Sequence, residues 1–303
     1  MTTSDASRPA VLSDLGVPCA FRPEFLDFQR GIHVGNLTDH ERITRILKLA
    51  LEARYGQPFV TERWGRGVYW QWIGYLPRAN RLAKPVSSDV SFGCSKLFLQ
   101  VNTAERTAEF GLQIERGYEK APRESRHFQL REDWDWHRLL AGLKPKRTLA
   151  RELERLVSEE GFLVHAGCWE QTREPFSAAS YPGPLKLRRA LENAAKNAWA
   201  GFQLFYRISE AEVRSATGLD LVESMLAVYR EVLPVMNLCM QIELADRHLT
   251  VPNNLLNPHN NIQPHPAAPM ATSNRKLAGL SVDRAPLNPA LPVGVFPANR
   301  RRW

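Results

Sequence analysis

Only four cysteines, Cys19, Cys94, Cys168 and Cys239, are spread over the 303 residues, and no two form a CxxC pair. Disulfide scaffolds and structural zinc sites need clustered spacing, so free thiols are expected instead. No apolar run approaches the roughly 18 to 20 residues that span a bilayer. The opening residues, MTTSDASRPAVLSDLG, lack a basic region followed by an apolar one. The expectation is therefore no secretory signal, no membrane partner and a cytoplasmic location. GxxxxGK[ST], GxGxxG, HExxH and GxSxG do not occur, nor does any Asp-x-Lys or Glu-x-Lys triplet of the restriction-nuclease type. Without them no glycine loop for phosphates and no zinc or nucleophile motif can be read, so no cofactor and no metal are expected.

What is present is an ordinary globular composition, 44 % hydrophobic and 24 % charged, with ample material for a core. The net charge of +8 is uneven. Residues 246–303 hold seven Lys/Arg against two Asp, a net of +5, which leaves +3 for the preceding 245 residues. The same segment holds nine of the 21 prolines and eight asparagines, with no helical or alternating period. Such a composition cannot bury enough apolar surface to offset ordering entropy, so an extended or disordered tail is expected. Three parts follow: an N-terminal extension over 1–30, a globular domain over 31–245 and the basic Pro/Asn-rich tail over 246–303.

Within the domain, Thr38 and Glu41 form a capping-box pair ahead of Ile43, Ile46, Leu47 and Ala50, which predicts a helix over 39–55. Strands are predicted over 59–63, 68–76, 90–101 and 106–116, the last two as a hairpin. Helical periods follow at 133–141 and 148–160, then a strand at 162–166, a helix at 185–199 and a strand at 201–208. A capping box at Ser209 and Glu212 opens a short helix, and a final helix runs over 219–233 to Pro234. This order gives an α+β fold, a mixed and largely antiparallel sheet with helices mainly on one face.

One stretch stands out. From Arg63 to Lys84 there is no acidic residue, while Arg63, Arg66, Arg78, Arg81 and Lys84 alternate with Trp64, Tyr69, Trp70, Trp72 and Tyr75. Cations attract a polyanion and flat rings stack on bases, so DNA or RNA is the expected partner. A core strand with basic flanks would look the same. Alternation sends Trp70 and Trp72 one way, toward helix 39–55, and Tyr69 and Tyr75 the other, where they could form a stacking platform. Lys186, Arg188 and Arg189 would add phosphate contacts from a helix start.

Two other functions are consistent with the residues. The tail 246–303 could dock a protein partner, as an assembly or adaptor subunit does. Asp89, Glu109 and Glu115, with Lys96 on the partner strand, could hold a divalent cation for phosphodiester hydrolysis. The same residues suit a solvated strand face with cross-strand ion pairs. His165 and Cys168 have HxxC spacing, and Asp133 and His137 stand at i, i+4. Core packing for Cys168 and an acidic helix start for Asp133 are the better explanations.

Overall fold

The computed structural model describes residue 12 and residues 14–87, 91–169 and 174–246. Two short strands, β1 (Leu26–Asp27) and β2 (Gly31–His33), precede helix α1 (Ile43–Tyr55). The hairpin β3 (Phe59–Arg66) and β4 (Tyr69–Pro77) runs into a one-turn helix, α2 (Arg78–Leu82). A second hairpin follows, β5 (Lys96–Asn102) and β6 (Thr107–Gly117), then helices α3 (Asp135–Gly142) and α4 (Thr148–Ser158). Strand β7 (Leu163–Cys168), helix α5 (Pro184–Glu192), strand β8 (Ala200–Ser209), helix α6 (Glu210–Ser215) and helix α7 (Gly218–Cys239) complete the order.

All eight strands join one sheet, and every named pair is antiparallel. The main path is β4-β5-β6-β8-β7. β3 lies along one edge of β4, while the other edge is shared by β5, opposite 72–75, and β2, opposite 69–70. The expected α+β class is what the molecule shows. On one face Ile73, Leu99, Phe110, Leu112, Ile114 and Leu204 pack against Ile46 and Leu47 of α1, Leu139 of α3, Leu153 of α4 and Met225 of α7. On the other face the apolar residues Trp72, Phe98 and Phe205 all come from strands. No α-helix contributes to that second cluster, yet Lys96, Phe98, Gln113 and Glu115 on the same face are buried, with the Phe92 ring beside the Lys96 ammonium.

Several boundaries differ from the sequence pattern for identifiable reasons. The Thr38–Glu41 pair forms, with Glu41 accepting from the Thr38 hydroxyl at 2.7 Å and from its backbone N–H at 3.0 Å. It closes a turn rather than the helix, which begins at Ile43. The helix predicted over 185–199 stops at Glu192 because the following turn gives its carbonyls to Arg116. That buried guanidinium donates to Ala194 O, Ala195 O and Ala198 O at 2.6 to 2.9 Å. α7 runs through Pro234 to Cys239, since burial of Val235, Met236 and Cys239 outweighs the one lost backbone bond. Phe21, Phe25, Leu26 and Phe28 sit in the main core, so the packed region starts inside the segment expected as an extension. At the other end the buried Asp246 pairs with Arg54 at 3.3 Å, and residues 247–303 lie outside the described residues.

Candidate nucleic-acid interface

The acid-free stretch folds as the β3–β4 hairpin plus α2, and the hairpin contains a bulge. Trp64 stands opposite Trp72 and Gly65 opposite Trp70, leaving Gln71 as an extra residue on β4. One extra residue reverses the alternation of side chains beyond it. Trp70 is thereby half-buried against the main core, while Trp72 joins the cluster on the other face. Gly65 makes the approach possible: a Cβ there would come within 2.4 Å of Trp70 Cα.

Tyr75, expected on an open stacking face, is instead fully buried in the helix-side core. Trp72, expected toward α1, lies flat over Gly74, whose missing side chain makes the room. The strand carries large rings on both sides, so alternation alone could not tell which side packs.

Lys84 does not meet solvent either. It is fully buried, and its ammonium donates to Asp135 Oδ1 at 2.5 Å and to Asp133 O at 3.1 Å. Its acidic partner lies some 50 positions further along the chain, where no local charge count would include it. Arg78 is exposed and Arg81 half-buried, but both sit on α2, at the far end of β4 from Arg66. Eight strand residues separate the two groups, roughly 26 Å. Lys186, Arg188 and Arg189 lie on α5, beside β7 and β8 at the opposite edge of the sheet, and Arg188 pairs with Glu192 at 2.8 Å. The predicted cations therefore form three separate groups.

One of these groups gains members that the sequence pattern did not include. His33 of β2 is the direct cross-strand partner of Tyr69, and their rings stack at 5.0 Å with 23° between planes. The Arg30 guanidinium lies 4.3 Å from the Tyr69 ring centroid. Arg63 lies 4.3 Å from the Trp70 centroid, and exposed Arg66 stands opposite Tyr69. Asp27 accepts from Arg30 Nε at 2.6 Å and fixes that guanidinium in place. Burial tends to raise the Asp27 carboxyl, but bonds from Gln29 and Arg30 outweigh it and hold the group below its ordinary value. At the corner between the β1–β2 ribbon and the β3–β4 turn, Arg30 thus lies over Tyr69 and Arg63 over Trp70, on successive residues of β4 that point to opposite sides of the sheet, with exposed Arg66 opposite Tyr69. Arg30 and His33 belong to QRGIHV, a run with no feature that separates it from an ordinary turn and strand.

The second sheet face holds the carboxylates considered for metal binding. Glu109 and Glu115 are six residues apart on β6, about 20 Å, too far to share one cation. Glu109 accepts from Arg207 at 2.8 Å, and Glu115 accepts from Lys96 at 3.0 Å. Lys96 also donates to Glu62 at 2.5 Å. Burial works against the Lys96 charge, yet the two carboxylates outweigh it and hold its pKa above the ordinary lysine value. Burial pushes the Glu115 carboxyl up, with neighbouring Glu62 adding to the effect. Asp89 lies outside the described residues. Among those described, no three His, Cys, Asp or Glu residues are placed to hold a metal ion.

The remaining candidates are packing groups. His165 stacks on Trp169 at 5.1 Å, and Cys168 is buried. Asp133 caps the 86–87 turn, accepting from Val86 N, Ser87 N and Ser87 Oγ at 2.5 to 2.9 Å. No helix among the described residues is long and apolar enough to cross a membrane. No protein-family model matches this chain, and no curated protein is significantly similar to it in sequence.

Proposed function

We propose that this protein binds single-stranded DNA or RNA through the corner formed by Arg30, His33, Arg63, Arg66, Tyr69 and Trp70. The supporting observation is the pair of guanidinium-on-ring stacks, Arg30 on Tyr69 and Arg63 on Trp70, beside exposed Arg66. A guanidinium over a ring can offer a further surface to a base, and because Arg30 is already paired with Asp27 the charge for phosphate comes from Arg63 and Arg66. The ordering entropy of those long side chains is partly lost before the ligand arrives, which favours binding. Unpaired bases suit such a surface because their faces are free to stack.

Fluorescence anisotropy with labelled dT20 and rU20 over a salt series tests the proposal. Log K should fall linearly with log salt, with a slope near 0.7 per phosphate contact. Arg63→Glu with Arg66→Glu should weaken binding at least tenfold and flatten that slope. Arg78→Glu with Arg81→Glu, roughly 26 Å away along the hairpin, should have a much smaller effect. Equal losses from the two double reversals, or none from the first, would remove the corner as the binding surface.

A further inference from the structure

The second sheet face carries a hydrogen-bond chain whose direction can be followed from end to end. Gln203 donates to Gln113 at 2.8 Å, as does Trp72 Nε1 at 3.1 Å. Gln113 in turn donates to Glu115 Oε1 at 2.7 Å. Lys96 donates to Glu115 Oε2 and to Glu62 Oε2. Three of the four carboxylate oxygens in this chain accept a bond. Glu62 Oε1, on a side chain 10 % exposed, is buried without a hydrogen-bond partner among the described residues.

Formal charge is short by the same amount. Two carboxylates flank one ammonium, so the centre carries one negative charge that nothing described neutralises. A buried net charge is costly unless a counter-charge joins it. A proton could neutralise it but fits the geometry poorly. Both Glu115 oxygens already accept N–H bonds, and a proton on Glu62 Oε1 would become a donor with no described acceptor. A cation that brings its own N–H group satisfies the charge and the orphaned oxygen together. The one cation already in the centre, the Lys96 ammonium, lies 5.7 and 5.3 Å from the Trp72 and Phe92 rings. Glu62 stands on β3, which pairs with β4 alone, two residues from half-buried Trp64.

We propose that Glu62, with Lys96 and Glu115 behind it, forms a binding site for a monovalent organic cation, an alkylammonium or alkylguanidinium group, donating to Glu62 Oε1. The site is independent of the nucleic-acid corner. Acid works against the cation, because protonating either carboxylate removes the negative charge that holds it, and burial already raises the Glu115 carboxyl above its ordinary value. Occupancy by the cation should therefore rise as pH rises through the raised Glu115 value.

Calorimetric titration of the full chain with butylammonium and with butylguanidinium, using butanol as the neutral control, tests this. Saturable binding of at least one cation and none of butanol is expected, strengthening with pH. Glu62→Gln, which keeps the shape and removes the charge, should weaken it at least tenfold, whereas the exposed Glu105→Gln should leave it unchanged. Should Glu62→Gln fail to fold, the parent protein decides alone: its melting temperature must rise with the logarithm of cation concentration and not with butanol. Absence of saturable binding between pH 5 and 8, or equal affinity in Glu62→Gln, overturns the proposal. So does a Glu115 carboxyl that titrates identically by carbon-13 NMR with and without cation.

Discussion

Replacing Asp135 with Ala removes the carboxylate that anchors α3 to the segment after α2. Three donors converge on it: Lys84 Nζ at 2.5 Å, Asn80 Nδ2 at 2.9 Å and the Ser95 backbone N–H at 2.6 Å. Both charged partners are fully buried. Solvent cannot replace the lost bonds without opening the structure, so Lys84 is left as an uncompensated interior cation. Removing one partner of such a pair costs about 3 to 5 kcal/mol. Unsatisfied donors at about 1 to 3 kcal/mol each overlap with that figure rather than adding to it. A domain stable by about 5 to 15 kcal/mol would lose a third or more of its margin. At roughly 2 to 4 °C per kcal/mol for this size, the melting temperature should fall by about 10 °C.

Lys84→Met, which keeps the apolar stem and drops the charge, should cost nearly as much, because the carboxylate is then the stranded group. Combining Lys84→Met with Asp135→Asn should recover much of the loss, since neither buried charge remains. Thermal unfolding followed by circular dichroism, with calorimetry to confirm two-state behaviour, measures all three. A Lys84→Met protein that melts within about 3 °C of the parent would refute the pairing. A Lys84→Met protein that melts normally but shows a flattened salt slope for oligonucleotide binding would return Lys84 to the phosphate-contact role.

Tyr75→Ala and Trp72→Ala should each cost roughly 3 to 5 kcal/mol by urea denaturation, because the two rings fill opposite sides of one strand. Tyr75→Phe should be neutral within about 1 kcal/mol, since the buried hydroxyl has no hydrogen-bond partner to lose. Asp133 offers a pH test with a defined sign. Burial raises its carboxyl, but bonds from Ser87 and the Val86 and Ser87 N–H groups prevail and hold it below 3.8. Its stabilisation is therefore present above that pH and lost as pH falls through the folded value. Asp133→Asn should cost on the order of 2 kcal/mol at pH 7, with the gap to the parent closing below about pH 4; a constant gap across pH 3 to 7 would show the carboxylate is not ionised in those bonds.

Most element types and their order were legible in the sequence, because they depend on nearest neighbours, but the short β1, β2 and α2 were not. The period of Leu149, Leu153, Leu156 and Val157 marks α4. The alternation through Ala108, Phe110, Leu112 and Ile114 marks the packed face of β6, and the Ser209–Glu212 box marks the start of α6. The first turn of α7 is capped by Thr217 and Asp220, a pair the Glu/Gln form of that pattern does not include. Where a distant partner decides, local pattern could not help. Whether Lys84 meets solvent depends on Asp135, and whether α5 continues past Glu192 depends on Arg116. The side of the sheet faced by Trp70 depends on one extra residue, Gln71, set by pairing with β3. Charge of one sign can be counted along a chain, but its exposure is fixed only when folding brings opposite charges together. Tertiary structure therefore split the basic-aromatic stretch into a buried anchor, a core strand and an exposed corner completed by Arg30 and His33.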